Sequence, residues 1–168
     1  DVYKRQVEQN EDANQVSTYL DALPKSSTTP VIGLTGTGGA GKSCLTDELV
    51  RRFLEEFPER RVAVVSVDPS KRKTGGALLG DRMRMNAIQH PNVFMRSLAT
   101  RRSHLATSES LLPILRLLRA SSFDLILVET AGIGQSDTEI TDLADLSVYV
   151  MTPESVSYTH LRAHETSP

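Results

Sequence analysis

Residues 31–50 read VIGLTGTGGAGKSCLTDELV and place a short apolar segment, a glycine-rich turn and an amphipathic segment in immediate succession. The turn, residues 36–43, matches the pattern G-x-x-x-x-G-K-[ST] in full. In such a turn, successive backbone N–H groups point at phosphate oxygens, and the helix that follows adds the positive end of its dipole. This stretch therefore predicts a phosphate-binding loop between a buried strand and a helix.

The loop residues and the residue that follows them are the predicted nucleotide contacts. They are Gly36, Thr37, Gly38, Gly39, Ala40, Gly41, Lys42, Ser43 and Cys44. Lys42 is the predicted catalytic cation, because its ammonium group is expected to bridge β- and γ-phosphate oxygens. The Ser43 hydroxyl is the predicted Mg²⁺ ligand. Cys44 is interpreted as a small buried apolar side chain rather than as a redox switch.

Apolar segments alternate with amphipathic ones along the rest of the chain. Short, continuously apolar segments are typical of strands that are covered on both faces. The predicted strands are residues 31–36, 62–68, 93–98, 123–130 and 146–153. We therefore predict an α/β fold of the P-loop NTPase type, with a doubly wound, mostly parallel sheet and helices on both faces.

The helix after the loop is predicted to bury one stripe of side chains, because its apolar residues recur every four positions. These residues are Leu45, Leu49, Phe53 and Phe57. A second helix is predicted around residues 110–120. Ser110 is its expected N-cap, and Pro113 is expected in its first turn, where proline is tolerated.

The segment LILVETAGIGQ, residues 125–135, is the second predicted part of the site. Glu129 ends a predicted buried strand, where a P-loop NTPase needs an acidic residue to hold Mg²⁺. Glu129 and Gly132 also form an acid-x-x-Gly turn, whose glycine N–H can contact a γ-phosphate and release it after hydrolysis. Gln135 is a candidate to orient the attacking water. An ordinary loop after a capped strand end fits the same residues.

A third segment, DPSKRKTGGALLGDRMRM at residues 68–85, carries further charged candidates. Asp68 ends the second strand at the edge of the sheet where ligands bind in open parallel sheets. Asp81 is a candidate for the magnesium shell, and Arg84 is a candidate to neutralise phosphate charge. When each residue is considered in isolation, Asp81 is better interpreted as a helix cap and Arg84 as part of a solvated helix face.

The composition of the whole chain limits its partners. The 168 residues carry a formal charge of −2, which favours neither a nucleic acid nor an anionic membrane as partner. No apolar run approaches the roughly 18 residues of a membrane-spanning helix, and no signal peptide is visible. A single cysteine, Cys44, excludes an intrachain disulfide and a cysteine-based zinc cluster. We expect a cytoplasmic protein.

Both ends of the chain differ in character from the rest. Residues 1–6 (DVYKRQ) and 155–168 (SVSYTHLRAHETSP) fit no periodic element and resemble translated sequencing-adapter sequence, so we interpret both as artefacts. Residues 7–30 are interpreted as a helix and a linker rich in proline, serine and threonine. Residues 31–154 are the predicted nucleotide-binding domain.

In this order, GTGGAGKS, VDPS…TGGALLGDRMRM and LVETAGIGQSD resemble the MeaB/ArgK-type GTPases, which chaperone cobalamin-dependent acyl-CoA mutases. FMRSLATRRSHLA and YVMTPE are most similar to the GTPase domain of fused isobutyryl-CoA mutase. The resemblance covers residues 31–154. It implies that the loop holds GTP or GDP and that Arg84 lies at the nucleotide. The positions at or near Mg²⁺ are Ser43, Asp68, Asp81, Glu129 and Thr130.

The resemblance also implies a function. GTP hydrolysis would gate the loading of adenosylcobalamin into a mutase, fused or separate, and would help to protect it. Adenosylcobalamin itself would bind only to the partner or to domains that this chain lacks, and the full-length protein would be a homodimer. The family's guanine-reading motif, Asn-Lys-x-Asp, is absent. We therefore expect a C-terminally truncated GTPase domain whose guanine specificity rests on the resemblance.

Three alternatives stay open. An ATPase of the MinD/ParA type would carry a second lysine early in the loop, where this chain has Thr37. A P-loop small-molecule kinase would need an arginine-rich lid and a base for its acceptor, and the Glu-Thr-Ala-Gly turn fits a hydrolytic switch better. The third alternative is a non-functional fragment with weak nucleotide binding.

Overall fold

A computed structural model describes residues 13–23, 28–68, 85–99, 105–130 and 136–152. Helices and strands alternate within these ranges. They are α1 (Ala13–Ala22), β1 (Val31–Gly36), α2 (Lys42–Glu56), β2 (Val62–Asp68), β3 (Val93–Ala99), α3 (Leu105–Arg119), β4 (Leu125–Thr130), α4 (Ser136–Leu143) and β5 (Leu146–Val150). A 3₁₀ turn, Ala87–Gln89, precedes β3. Among the helices described, none is long and apolar enough to cross a membrane.

The strands form one five-stranded sheet in the order β3-β2-β4-β1-β5, and every neighbouring pair is parallel. β4 therefore lies between β1 and β2, with Glu129 opposite Leu34 on one side and Ser66 on the other. Because parallel strands share one carboxyl edge, the loop after β1 and the end of β4 meet at the edge where open α/β sheets bind ligands.

Each face of the sheet has its own apolar cluster. On one face, Leu118 of α3 and Ile140 of α4 pack with Val128 of β4. On the other face, Val50 of α2 packs with Leu127 of β4. Because successive side chains of a strand point to opposite faces, a strand buried on both faces reads as a nearly continuous apolar run, and the buried polar residues described in β2 and β4 are Ser66, Glu129 and Thr130. The predicted doubly wound α/β fold with helices on both faces is confirmed.

The predicted stripe on α2 is displaced by one residue. Its deeply buried side chains are spaced by four and are Lys42, Thr46, Val50 and Leu54. The predicted residues Leu45, Leu49 and Phe53 are only partly buried beside this line. Phe57 was predicted wrongly: it follows the last helical residue and is 47% exposed. Spacing by four fits either line, so only packing against the sheet selects between them.

The start of α3 was also predicted wrongly. The helix begins at Leu105, so Ser110 lies within it rather than at its N-cap, and Pro113 lies in its interior. An interior proline cannot donate to the carbonyl four residues earlier and costs about 3 kcal/mol. The opposing contribution comes from leucine and isoleucine side chains that the helix buries against the sheet. They are Leu111, Ile114, Leu115, Leu117 and Leu118.

The strand at residues 146–150 forms, but it is not the buried strand that its apolar composition predicts. Leu146 is 57% exposed and Tyr149 is 55% exposed. β5 is the last strand in the sheet order and pairs with β1 on one side only. Leu146 and Tyr149 are three residues apart and point to opposite faces, so within the described part of the chain neither face of β5 is fully covered.

Candidate nucleotide-binding site

The loop between β1 and α2 is curled by glycines in left-handed conformations. Gly39 has φ 79° and Gly41, the N-cap of α2, has φ 90°. The Ala40 N–H donates to the Thr37 carbonyl over 3.2 Å and closes the turn. Among the residues that the structure describes, no heavy atom lies within 4 Å of a Cβ added at Gly38, Gly39 or Gly41. The described residues therefore leave the space beside these glycines open, as a ligand cradle requires.

Gly36 is a glycine for a different reason. A Cβ at this position would lie 1.9 Å from the carbonyl oxygen of Val150, so the backbones of β1 and β5 approach too closely for any side chain. Its φ of 135° also lies outside the range that other residues adopt easily. The absence of a side chain at Gly36 thus allows β5 to pair with β1.

Lys42 folds back over the loop that precedes it. Its Nζ donates to the Gly36 carbonyl over 2.9 Å and to the Thr37 carbonyl over 2.8 Å. The residue is only 6% exposed, so its ammonium charge depends on these acceptors rather than on bulk water. A buried cation therefore lies within the cradle, next to the positive end of α2.

A carboxylate from β4 reaches the same place. Glu129, 5% exposed, accepts a hydrogen bond from Ser43 Oγ at Oε1 over 2.5 Å. Thr46 Oγ1 lies 3.2 Å from the other oxygen, Oε2, and 2.9 Å from the Lys42 carbonyl. The structure thus brings together three predicted site residues, Lys42, Ser43 and Glu129, and adds Thr46.

Cys44 is exposed, which overturns the interpretation of a buried apolar side chain. It lies in the first turn of α2, whose buried line begins at Lys42 and continues at Thr46. Cys44 falls between these two positions on the helix and therefore faces away from the sheet. Its predicted contact with a nucleotide stays a prediction.

The remaining predicted residues are placed only in part. Asp68 is the last residue of β2 at the carboxyl edge, but its side chain lies outside what the structure describes. Thr130 ends β4 and is buried, and strand alternation directs its side chain to the face opposite Glu129. Four predicted residues lie outside the described residues altogether. They are Asp81, Arg84, Gly132 and Gln135.

Two residues near the site were missed in the sequence. Thr46 is fully buried, and Asp47 Oδ1 accepts a hydrogen bond from the Ala87 N–H over 2.8 Å, which anchors the 3₁₀ turn to α2. Thr46 could have been found in the sequence, because it lies four residues before Val50 and eight before Leu54 and therefore on the same side of the helix. No local sequence pattern predicts the role of Asp47, because the N–H group that it accepts from belongs to Ala87, 40 residues away.

The donor set fits a nucleotide phosphate with a magnesium ion. The Thr37 hydroxyl is buried and has no hydrogen-bond partner among the described residues, which is costly unless a ligand completes the site. Ser43 and Glu129 offer the hard oxygen atoms that Mg²⁺ prefers. The cradle, Lys42 and these oxygens lie together at one end of α2.

A protein-family model described as "Methylmalonyl Co-A mutase-associated GTPase MeaB" matches residues 2–157. The chain belongs to the MeaB family. This MeaB-family chain is 58% identical over 132 residues to fused isobutyryl-CoA mutase of Geobacillus kaustophilus, covering 79% of this chain and 12% of that protein. It is 57% identical over 141 residues to fused isobutyryl-CoA mutase of Cupriavidus metallidurans, covering 83% of this chain and 13% of that protein.

A shorter relative from Pyrococcus horikoshii, named as a GTPase, is 38% identical to this MeaB-family chain over 146 residues. The match covers 86% of this chain and 45% of the relative. The crystal structure of FlhF complexed with GTP/Mg(2+) is similar with a TM-score of 0.52 and 16% identity, over 95% of this chain and 63% of that one. That likeness concerns the fold alone. The chain spans 12% and 13% of the two fused mutases, so it corresponds to a small part of their length.

Proposed function

We propose that this chain binds GTP with Mg²⁺ and hydrolyses it. The observation that carries the proposal is the hydrogen bond between Ser43 and Glu129, which lies beside the cradle that holds Lys42. A glycine-rich turn alone binds anions. A serine hydrogen-bonded to a buried carboxylate at the same end of the helix adds the oxygen ligands for a metal ion that a metal-dependent NTPase requires.

The residues have distinct tasks in this proposal. Lys42 Nζ exchanges one of its two carbonyl acceptors for a phosphate oxygen, while the loop N–H groups bind the remaining oxygens. Ser43 continues to donate its proton to Glu129, which leaves a lone pair of its oxygen for the metal. When bound, Mg²⁺ supplies neutralisation of the charge on the phosphate oxygens. Gln135 is the proposed residue that orients the attacking water.

We further propose that hydrolysis gates the loading of adenosylcobalamin into an acyl-CoA mutase of the isobutyryl-CoA or methylmalonyl-CoA type, and helps to protect it. The proposal is supported by the family description, which names a mutase-associated GTPase, and by relatives named as fused isobutyryl-CoA mutases. Adenosylcobalamin would bind to the partner or to other domains of the same polypeptide. A cytoplasmic location and a homodimeric full-length protein belong to the same proposal.

Binding of GTP is tested with the variant Lys42→Ala, with fluorescent GTP and ATP analogues as probes. We expect GTP affinity to fall about 10- to 100-fold, because charge-assisted hydrogen bonds to phosphate are lost. Arg52→Ala is the matched control, since it removes the same charge from the exposed side of α2, where the Arg52 side chain is 71% exposed. We expect it to change affinity by less than about twofold.

The alternatives predict different results in the same assay. Equal or tighter binding of ATP would favour an ATPase of the MinD/ParA type, and phosphate transfer to an added acceptor would indicate a kinase. Absence of nucleotide binding and of a cooperative unfolding transition would indicate a non-functional fragment. Gating is tested separately: GTP hydrolysis should be slow in isolation and faster with the mutase, and equal rates would contradict it.

A further inference from the structure

Thr46 is a polar residue where the apolar contact between α2 and the sheet meets the polar end of the helix. It is fully buried in the line of side chains that α2 packs against the sheet, followed by Val50 and Leu54. Valine would fill the same space without a polar atom. The hydroxyl lies 2.9 Å from the Lys42 carbonyl and 3.2 Å from Glu129 Oε2.

The single proton of this hydroxyl has two acceptors of unequal strength. The Lys42 carbonyl is the regular helical acceptor for the N–H four residues later, so it is satisfied without the hydroxyl. Glu129 Oε2 belongs to a carboxylate that is 5% exposed, and hydrogen bonds to an ionised acceptor are about twice as strong as neutral ones. The carboxylate therefore gains more from the proton than the carbonyl does.

The two hydroxyl groups together fix the plane of the carboxylate. Ser43 meets Oε1 and Thr46 meets Oε2, and both donors stand on one rigid helix. A carboxylate held at both oxygens cannot rotate about its terminal bond. Oε1 therefore stays beside Ser43, the residue that the proposed function assigns to the metal.

We propose that Thr46 is a positioning residue for the magnesium site: its hydroxyl holds Glu129 Oε2 and thereby sets the orientation in which Glu129 and Ser43 receive Mg²⁺. This inference rests on the proposed function. Thr46 touches neither nucleotide nor metal and acts through Glu129. Removal of its hydroxyl should therefore change the dependence of nucleotide binding on Mg²⁺ and leave the affinity for nucleotide without metal unchanged.

The test measures the affinity of this chain for a fluorescent GDP analogue, first in EDTA and then across a Mg²⁺ titration. Thr46→Val keeps the shape of the side chain and removes the donor. We expect the Mg²⁺ concentration at half-effect to rise about tenfold, the lower end of the loss that follows when the partners of metal ligands are removed. Affinity in EDTA should match the wild type. Thr46→Ser, which keeps the hydroxyl, should restore the wild-type Mg²⁺ dependence.

Each other result is decisive. An unchanged Mg²⁺ dependence in Thr46→Val would overturn the positioning role, and so would an equal loss of affinity with and without the metal. Should Thr46→Val fail to fold, Thr46→Ala serves with the same expectation, and failure of both would assign the hydroxyl to stability alone. A wild-type chain without any Mg²⁺-dependent binding would overturn the proposed function, and this inference with it.

Discussion

Ser43 Oγ lies 2.5 Å from Glu129 Oε1, although 86 residues separate them in the chain. The contact exists because β4 is inserted next to β1, with Leu34 opposite Glu129. The strand that carries the carboxylate thus ends where the helix that carries the serine begins. The proposed metal site therefore requires the sheet order and not only the loop.

Ser43→Ala should weaken nucleotide binding in Mg²⁺ by about tenfold or more and leave binding in EDTA nearly unchanged, because the Ser43 hydroxyl is the proposed metal ligand, whereas Lys42 and the loop N–H groups are the proposed phosphate contacts. Titration of a fluorescent GDP analogue under both conditions measures this difference. Ser147→Ala, on exposed β5, is the matched control and should behave as wild type. Equal losses in Mg²⁺ and in EDTA would contradict a metal role for Ser43.

Gly36→Ala should destabilise the protein by about 3 kcal/mol or more, because the added carbon would meet the Val150 carbonyl in a backbone conformation that alanine rarely adopts. Gly38→Ala is the matched control: the added carbon meets no atom of the described ranges within 4 Å, and the stability of this variant should stay within about 0.5 kcal/mol of wild type. Urea unfolding monitored by circular dichroism compares the two. Similar stabilities for both variants would show that β5 is not attached to β1 as described.

Leu54→Ala should cost about 3 kcal/mol of unfolding free energy, because Leu54 belongs to the apolar cluster between α2 and the sheet. Phe57→Ala should cost about 1 kcal/mol, since Phe57 is 47% exposed and loses mainly its ring contact with Phe53. Chemical denaturation measures the unfolding free energy of both variants. A larger loss of stability for Phe57→Ala than for Leu54→Ala would instead support the buried line of Leu45, Leu49, Phe53 and Phe57 that spacing alone predicts.

Acid should destabilise the fold partly through Asp124. Its carboxylate accepts hydrogen bonds from the Arg61 N–H and the Arg60 guanidinium, and these bonds lower its pKa below the usual 3.8. A pKa lower in the folded than in the unfolded chain contributes stability above the unfolded value and loses it as pH falls through the folded value. Asp124→Asn should therefore flatten the pH dependence of unfolding below about pH 5.

Glu48 provides the comparison. Hydrogen bonds from Arg51 and Arg52 lower its pKa from 4.5 to about 2, so its contribution also declines as pH falls below 4.5. These side chains are exposed on α2, and salt screens exposed pairs. At about 1 M NaCl the effect of Glu48→Gln on the pH dependence should vanish, while that of Asp124→Asn should persist in part, because a backbone N–H holds Asp124. Equal salt sensitivity would contradict this difference.

Cys44 should react with a thiol reagent in the native protein without prior unfolding, because it is exposed. Mg²⁺ and GTP should slow the reaction at least several-fold if Cys44 contacts the nucleotide as predicted from its place after Ser43. Absorbance of the released chromophore follows the reaction, and Cys44→Ala gives the background. Reaction only in denaturant would contradict the exposed position, and absence of protection would remove Cys44 from the nucleotide contacts.

The elements that the sequence reveals are those with a strong local pattern. Val62–Asp68 and Leu125–Thr130 are mostly apolar, with Ser66 interrupting the first and polar residues ending both, and they were predicted as strands within two residues of their observed bounds. α4 was not predicted, because Ile140 and Leu143 are too few to show a helical period. The domain boundaries and the interpretation of both chain ends stay predictions.

What the sequence determined by itself is local: the strand, the curled loop and the helix of residues 31–56 follow from glycine at left-handed positions and from apolar periodicity. Tertiary structure alone decided which side of α2 is buried, that Pro113 lies inside a helix, and that β5 stays exposed at the sheet edge. It also decided that Thr46 and Ser43 share one carboxylate. These outcomes depend on contacts between distant segments, and a short-range pattern cannot encode which neighbour a side chain will have after the sheet has assembled.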